Sequence, residues 1–527
     1  MKKLLTTLLI YSASVTISAA DKPNIILIMT DDMGYSDIGC YGGEIETPNL
    51  DMLAKNGVHF SQFYNTSRCS PTRSSLISGL YSHQAGMGLL TKDQGEHNPG
   101  YRGRLMERCV TIAEVLRPQG YLSITTGKWH MGHDKKEWWP LGRGFDRFYG
   151  CPQGGGFFFR PSSWGGRTVV RGDEVIYDKE RDPAEGWYAT DAWTDEGLKY
   201  VEEAVAEKKP FFWYLAHNAP HFPLQAKPED IAKYRGKYKA GWDVIRQQRY
   251  EKLVKLGLID KNHKLAPRYK HVPAWDSLSE EEKDKQDERM AIYAAMVDCV
   301  DQNVGKIIDS LKRLGVYDNT LIIFLSDNGG QSEGKRPLGF NRGKGAPGTA
   351  ESDTHYGTCW ANVSSAPFRK FKNLIHEGGI STPLIAHWPK GISASIRGSI
   401  IKQTAHVIDI MPTLVELSGA QYPDKHKGHE IIPMEGVSLK PLFDGGTIER
   451  SDAIYFEHTG KKGVRYGKWK LVCTYGLKWE LYDMENDRTE LNDLASKMPE
   501  KKAQLAKMYE AWAARCFVKK GKNQISD

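Results

Sequence analysis

"NIILIMTDD", residues 24–32, decides the fold. Every position from Ile25 to Met29 is apolar, so the strand it predicts is buried on both faces, as in a largely parallel sheet covered by helices. It ends in two carboxylates, Asp31 and Asp32. Three later runs have the same form. "YLSITTGKWH" leads to Lys128 and His130, "PFFWYLAHNAPH" runs from Phe211 to Leu215 into His217 and His221, and "TLIIFLSDNGG" runs from Leu321 to Leu325 into Asp327 and Asn328. In such α/β sheets the ligand site lies beyond the carboxyl ends of the strands, so the four polar clusters are expected on one rim. Met296, Val300, Val304, Ile307, Ile308 and Leu311 fall at helical spacing before Gly315 and predict a covering helix.

The chain has 527 residues, 40% hydrophobic, 26% charged and 11% aromatic, an ordinary globular composition that excludes the disordered and fibrous classes. The net charge of +7 suits an anionic small molecule, and the dense Lys/Arg runs of a nucleic-acid binder are missing. Lys2 and Lys3 precede a short apolar run, and the stretch after it closes on Ser18, Ala19 and Ala20, so residues 1–20 read as a signal peptide cut near Ala20. The expected product is exported, periplasmic or secreted, with no membrane span, since no later run approaches 18 apolar residues. Eight cysteines, none closer than 29 residues to another, form no zinc-ribbon spacing, and no bridge is assigned.

Residues 21–431 read as the catalytic domain, with 226–290 as a charged surface insertion. From about Ile432 the texture changes. "AIYFEHTGKKGVRYGKWKLVC" and "WELYDM" alternate apolar and polar residues, which predicts a small antiparallel sheet solvated on one face, and "MPEKKAQLAKMYEAWAARCF" predicts an amphipathic helix. Residues 432–527 are therefore expected as a smaller α+β subdomain.

The clusters carry chemistry. Asp31, Asp32, Asp327 and Asn328 are hard oxygen donors, suited to Ca²⁺ or Mg²⁺ rather than zinc. An aspartate after a strand is commonly a turn or cap residue, and two acidic pairs on one rim argue beyond that. "CSPTRSSLISG", residues 69–79, places Cys69 at the mouth of a helix, with Ser70 as the cap, Pro71 in the first turn and Arg73 one turn on. Both the helix mouth and the guanidinium attract anions. Lys128, His130 and His221 add cations and proton carriers, although a single histidine is more often structural. A metal, cations, a nucleophile and separate acid and base are what cleavage of an anionic ester needs.

"CSPTRSSLISG" resembles the C-x-P-x-R signature of the type I sulfatases, whose cysteine is oxidised to formylglycine (3-oxoalanine). "PNIILIMTDDMGYSDIGCYGG", "TGKWHMG", "HNAPHFPLQA", "LSDNGG", "FKNLIHEGGISTPLIAHWP", "HVIDIMPTLVELSG" and "ELYDMENDRTELNDLA" are similar to further landmarks of that family, in its order, from Pro23 to about Ala495. The whole chain resembles the arylsulfatase branch. The resemblance implies an alkaline-phosphatase-like α/β fold and a maturase that converts Cys69 into an aldehyde. One hydroxyl of the aldehyde hydrate attacks sulfur, and deprotonation of the other expels sulfate.

By the same resemblance Asp31, Asp32, Asp327 and Asn328, with modified Cys69, bind the metal, calcium by preference and magnesium otherwise. Arg73 and Lys128 hold the hydrate, and Lys128 and Lys372 bind sulfate oxygens. His130 is the base and His221 the acid, the latter also contacting substrate. His376 stands beside Glu377 where relatives often carry Thr or Tyr. His217 and His458 are candidate substrate contacts, "GCPQGGGFFFRPSSWGG" (150–166) is a candidate sugar or aryl pocket, and Glu457, His458 and Arg465 are expected to close one side of the site. The expected reaction is hydrolysis of sulfate esters of carbohydrates or aryl alcohols. A formylglycine-dependent phosphodiester or phosphonate-ester hydrolase and a catalytically dead binder of sulfated glycans are the alternatives.

Overall fold

The computed structural model describes residues 22–163, 165–332 and 336–519, and the expected signal peptide lies outside them. Its centre is a ten-stranded mixed sheet. In chain order the strands are β1 (Asn24–Thr30), β2 (Val58–Phe60), β3 (Leu122–Lys128), β4 (Arg147–Cys151), β5 (Val169–Arg171), β6 (Glu174–Tyr177), β7 (Phe211–Ala216), β8 (Thr320–Ser326), β9 (Leu384–His387) and β10 (Ser399–Ile401). Their order across the sheet is β10-β2-β9-β8-β1-β7-β3-β4-β5-β6. The four apolar runs of the sequence are the adjacent central strands β8, β1, β7 and β3, all parallel. In register, Thr30 lies opposite Ser326, and Met29 and Gly127 both lie opposite Ala216, so the four polar clusters emerge together.

Alternation explains why these strands are apolar throughout. Ile26 and Ile28 pack on one face with Trp213, Leu215, Ile322 and Phe324. Ile25, Leu27 and Met29 pack on the other with Phe212, Tyr214, Ile323 and Leu325. Each fully buried side chain of this size contributes roughly 1.5–3 kcal/mol. Helices α1 (Cys69–Ser78), α2 (Ala189–Ala206), α3 (Gly241–Leu256), α4 (Glu280–Arg313) and α5 (Ile410–Ser418) cover the faces. The expected covering helix is the second half of α4, which begins much earlier, with the Ser279 side chain accepting the Glu282 amide. Its first turns, residues 280–285, are charged and lie at the surface, so apolar spacing did not reveal them, whereas Gln286, Asp287 and Met290 to Met296 are buried. Within 226–290, Tyr234, Tyr238, Trp242, Leu253 and Trp275 are buried in the main core.

The C-terminal sheet is antiparallel, β11 (Ile454–His458), β12 (Lys461–Tyr466), β13 (Trp469–Cys473) and β14 (Glu480–Asp483), followed by α6 (Pro499–Arg515). The expectation of a solvated face fails. Val464, Leu471 and Leu481 pack with Leu505, Tyr509 and Trp512 of α6. Phe456, Val472, Tyr482 and Met484 pack with Tyr64, Ile375 and Ile380 of the catalytic body. Polar residues of the alternating pattern, among them Glu457, His458, Arg465 and Lys470, are buried too. Lys470 has no exposed surface and Arg465 is 6% exposed, because ion pairs and hydrogen bonds replace water as their partner.

Candidate active site

Two turns at the rim use left-handed backbone. Asp32 (φ 69°) follows β1 and His130 (φ 57°) follows β3. The first turn aims the Asp32 amide at Asp327 Oδ1, which accepts at 3.2 Å. The second is tied to the neighbouring strand through the Trp129 amide to Cys151 O and the His130 amide to Pro152 O. Non-glycine residues in this region persist where their surroundings over-determine them, as at functional sites. Strand β7 leads to His217, whose amide donates to Met29 O, and onward to His221.

Helix α1 carries the cysteine inward. All ten residues are buried, although only Leu76 and Ile77 are strongly apolar. Arg68, not Ser70, occupies the cap position, in extended conformation and without a side-chain cap bond. Cys69 is thus the first helical residue, two positions earlier than the Ser-Pro pair suggests. The Arg68 carbonyl accepts the Thr72 amide, and Gly79, at φ 70°, ends the helix.

Around Cys69 the predicted residues converge. Cys69 Sγ lies 3.5 Å from His130 Nδ1. Arg73 donates from Nε (3.2 Å) and Nη2 (2.8 Å) to Asp327 Oδ2, with Nη2 also 3.8 Å from Asp31 Oδ2. Lys128 Nζ donates to Asp31 Oδ2, and Lys372 Nζ donates to Asp32 Oδ1, each at 2.5 Å. Asn328 Nδ2 donates to Asp32 Oδ1 at 2.8 Å. His221 donates from Nδ1 to Phe222 O at 2.5 Å, which turns Nε2 toward Asp32 Oδ2 at 3.5 Å.

Electrostatics sort the carboxylates. Burial works to raise Asp31, but Lys128, His221, Arg73 and Lys372 hold it well below the usual range. Asp32 is likewise lowered against its burial by Lys372 and His221. Asp327 is pushed up to about 7 by burial and by Asp31, against the pull of Arg73. Burial, with Lys128 and Arg73, lowers the His130 ring well below its normal value. Burial brings His221 to about 4, opposed by Asp32 and Asp31.

The donor set fits a divalent cation. Asp31 Oδ1, Asp32 Oδ2 and Asn328 Oδ1 are buried with no hydrogen-bond partner among the described residues. Uncompensated carboxylate oxygens at that depth are costly unless something positive sits among them. Asp31, Asp32 and His221 each present a ligand atom, all within 4.8 Å of one another. Both oxygens of Asp327 already accept hydrogen bonds, from Arg73 and from the Asp32 amide.

The other predicted residues are buried. His217 is fully buried and lowered to about 3 by burial, and neither ring nitrogen has a hydrogen-bond partner among the described residues. His458 is also fully buried, on β11, beside Glu457, which pairs with His83 at 2.7 Å. Arg465 donates to Tyr64 Oη and Gln62 Oε1. In the glycine-rich loop, a Cβ on Gly154 would stand 2.7 Å from His130 Nε2, so that glycine lets the backbone close on the histidine. Asn65, whose stretch Asn65-Thr66-Ser67 formally matches an Asn-x-Ser glycosylation sequon, is buried and donates to Ser326 O and Thr382 Oγ1.

Two features were not singled out from the sequence. The Tyr214 hydroxyl accepts from Arg73 Nη1 at 3.4 Å, hidden inside an apolar strand with no signal beyond its alternation. Four charged residues behind Lys372, namely Glu377, Lys470, Arg488 and Glu490, form a buried cluster. Their only mark in the sequence is membership of the stretches "FKNLIHEGG", "GKWKLVC" and "NDRTELND".

An acidic centre ringed by cations, at the carboxyl rim of an alkaline-phosphatase-like sheet, defines a hydrolase of anionic esters. The family model described as Sulfatase matches residues 23–420, and that described as N-sulphoglucosamine sulphohydrolase, C-terminal, matches 368–514. The chain belongs to the sulfatase family, the sulfuric ester hydrolases. An uncharacterized sulfatase of Schizosaccharomyces pombe is 35% identical, covering 91% of this chain and 91% of its own. An arylsulfatase of Klebsiella aerogenes is 34% identical over 80% of this chain and 92% of its own. The crystal structure of Ps i-CgsB in complex with k-i-k-neocarrahexaose is 28% identical, with a TM-score of 0.68 and 93% of each chain covered. Among the described residues no helix is long and apolar enough to cross a membrane.

Proposed function

We propose that this protein is an exported sulfatase that hydrolyses sulfate esters of carbohydrates or aryl alcohols after Cys69 has been converted to formylglycine. The observation that carries the reading is the trio of buried oxygens on Asp31, Asp32 and Asn328, without a hydrogen-bond partner among the described residues, beside the cysteine-bearing mouth of α1. Asp31, Asp32, Asn328 and Asp327 would hold the cation, calcium by preference. Bound there, the ion supplies positive charge that polarises the sulfuryl group. The formylglycine side chain supplies the nucleophilic oxygen that a thiol lacks, and here Cys69 Sγ stands in its place.

The chain's own residues do the rest. Arg73, anchored on Asp327 one helical turn from Cys69, places its positive charge near the position of Cys69 Sγ and stabilises an oxygen anion formed there. Lys128, held on Asp31, and Lys372, held on Asp32, reach the same acidic centre and bind the ester's anionic oxygens. His130 Nδ1 faces Cys69 Sγ and takes the proton whose loss releases sulfate. His221, its Nδ1 fixed on Phe222 O, presents Nε2 to the departing alcohol oxygen. An anionic ester beside that ring opposes the burial penalty that lowers it. Exchange of sulfur for oxygen at Cys69, read by mass spectrometry, together with faster cleavage of 4-nitrophenyl sulfate than of bis(4-nitrophenyl) phosphate, is the expected result. An intact thiol in fully active protein, or faster cleavage at phosphorus, would refute the proposal. Export is supported by the leader-like residues 1–20.

A further inference from the structure

Lys372 sits in a loop with an unusual backbone. Lys370 (φ 68°) and Asn373 (φ 72°), on either side of it, are both left-handed. Non-glycine residues hold that conformation only when the surroundings impose it. The Lys372 amide donates to Gly330 O and the Asn373 amide to Ser67 O, which ties the middle of the loop to the rim and to the approach of α1. The two ends are held by the C-terminal sheet.

At the leading end, Arg369 Nη1 donates to Glu490 O at 2.5 Å and to Tyr482 Oη at 3.0 Å. At the trailing end, His376 Nε2 lies 3.2 Å from Glu480 Oε2. Glu377 Oε1 accepts from Lys470 Nζ at 2.8 Å, and its Oε2 accepts from Tyr64 Oη at 2.9 Å and Arg488 Nε at 3.3 Å. The Glu377 amide donates to Glu490 Oε2 at 3.0 Å, while Lys470 Nζ also pairs with Glu490 Oε1 at 2.8 Å. Glu377, Glu490 and Lys470 have no exposed surface and Arg488 is 3% exposed. Two carboxylates and two cations thus form a neutral, buried cluster, in which removing one partner strands a buried charge.

We infer that Lys470 and Glu490, with Arg488, are positioning residues that set the reach of the Lys372 amine by clamping the 369–377 loop from the C-terminal sheet and the turns that follow its last strand. The inference rests on the reading of Lys372 as a ligand for the anionic group of the substrate. It assigns a role to "NDRTELND", a motif that supplies no group touching the reacting atoms, and it makes the C-terminal sheet part of catalysis at a distance.

The test is a double-mutant cycle. Lys470→Met and Glu490→Gln are each measured alone and with Lys372→Ala, as kcat/KM on 4-nitrophenyl sulfate and as inhibition by inorganic sulfate. Each clamp variant alone is expected to lose about tenfold in kcat/KM and to bind sulfate about tenfold more weakly, and to lose less than about twofold once Lys372 is gone. Lys470→Arg, which keeps the charge, is expected to stay within about threefold of wild type. Equal losses in both backgrounds, or none in either, would overturn the inference. If Lys470→Met does not fold, Glu490→Gln carries the same cycle. Should wild-type enzyme prefer bis(4-nitrophenyl) phosphate, the sulfatase reading fails, and the same cycle run on that substrate still decides the clamp.

Discussion

At the residue scale, the site is a group of buried charges that satisfy one another through short contacts, and each contact makes a measurable claim. On the proposed reading the Cys69 sulfur is exchanged for oxygen, which an alanine does not allow, so Cys69→Ala should lower activity at least about a thousandfold while the melting temperature holds. Loss of less than about tenfold would place the chemistry elsewhere. Asp31→Asn keeps the shape of a ligand but removes a charge from the oxygen trio. Calcium added to chelator-treated protein should raise the wild-type melting temperature, and the variant should need at least about tenfold more calcium for the same rise. An unchanged calcium response would exclude Asp31 as a ligand. Gly154→Ala would press a methyl group against His130 Nε2. A displacement of that size costs up to about a hundredfold in kcat, with folding unaffected, and a wild-type rate would show that the loop yields.

At the scale of elements, the central strands are specified twice, once by each face. Ile28 is fully buried against Trp213 and Phe324, so Ile28→Ala should cost about 2–5 kcal/mol in urea unfolding. The β14 residue Glu480 links stability to pH. Burial raises its carboxyl, but His376, Tyr482 and Arg369 lower it further, to about 2 from 4.5. A depressed carboxylate stabilises the fold fully above its unfolded value and loses that contribution as pH falls from about 4.5 toward 2. Glu480→Gln should therefore flatten the decline of the melting temperature across that window, and two parallel acid limbs would contradict the assignment. The central strands were legible because burial on both faces writes an uninterrupted apolar run. β12 and β13 were legible as strands, but their surroundings were misread. Lys470 and Arg465 look like solvent-facing positions, and only their partners Glu377 and Tyr64, some 93 and 401 residues away, show that they are buried.

At the scale of the molecule, one apolar cluster runs from Ile25 and Leu27 in the large sheet to Val464, Leu471 and Trp512 in the C-terminal unit. Shared burial predicts shared unfolding, so calorimetry should show one cooperative transition. Two well-separated transitions would mean that the sheets are independent domains. The sequence by itself determined the family, the four rim strands and which polar residues follow them, because these are written in local runs and short motifs whose chemistry depends on residue type. Only the tertiary structure decided which oxygens remain unpartnered, how His221 joins the acidic centre, and that a distant sheet holds the Lys372 loop. The physical reason is that a buried charge is defined by its partner, and chain folding chooses that partner from residues hundreds of positions apart.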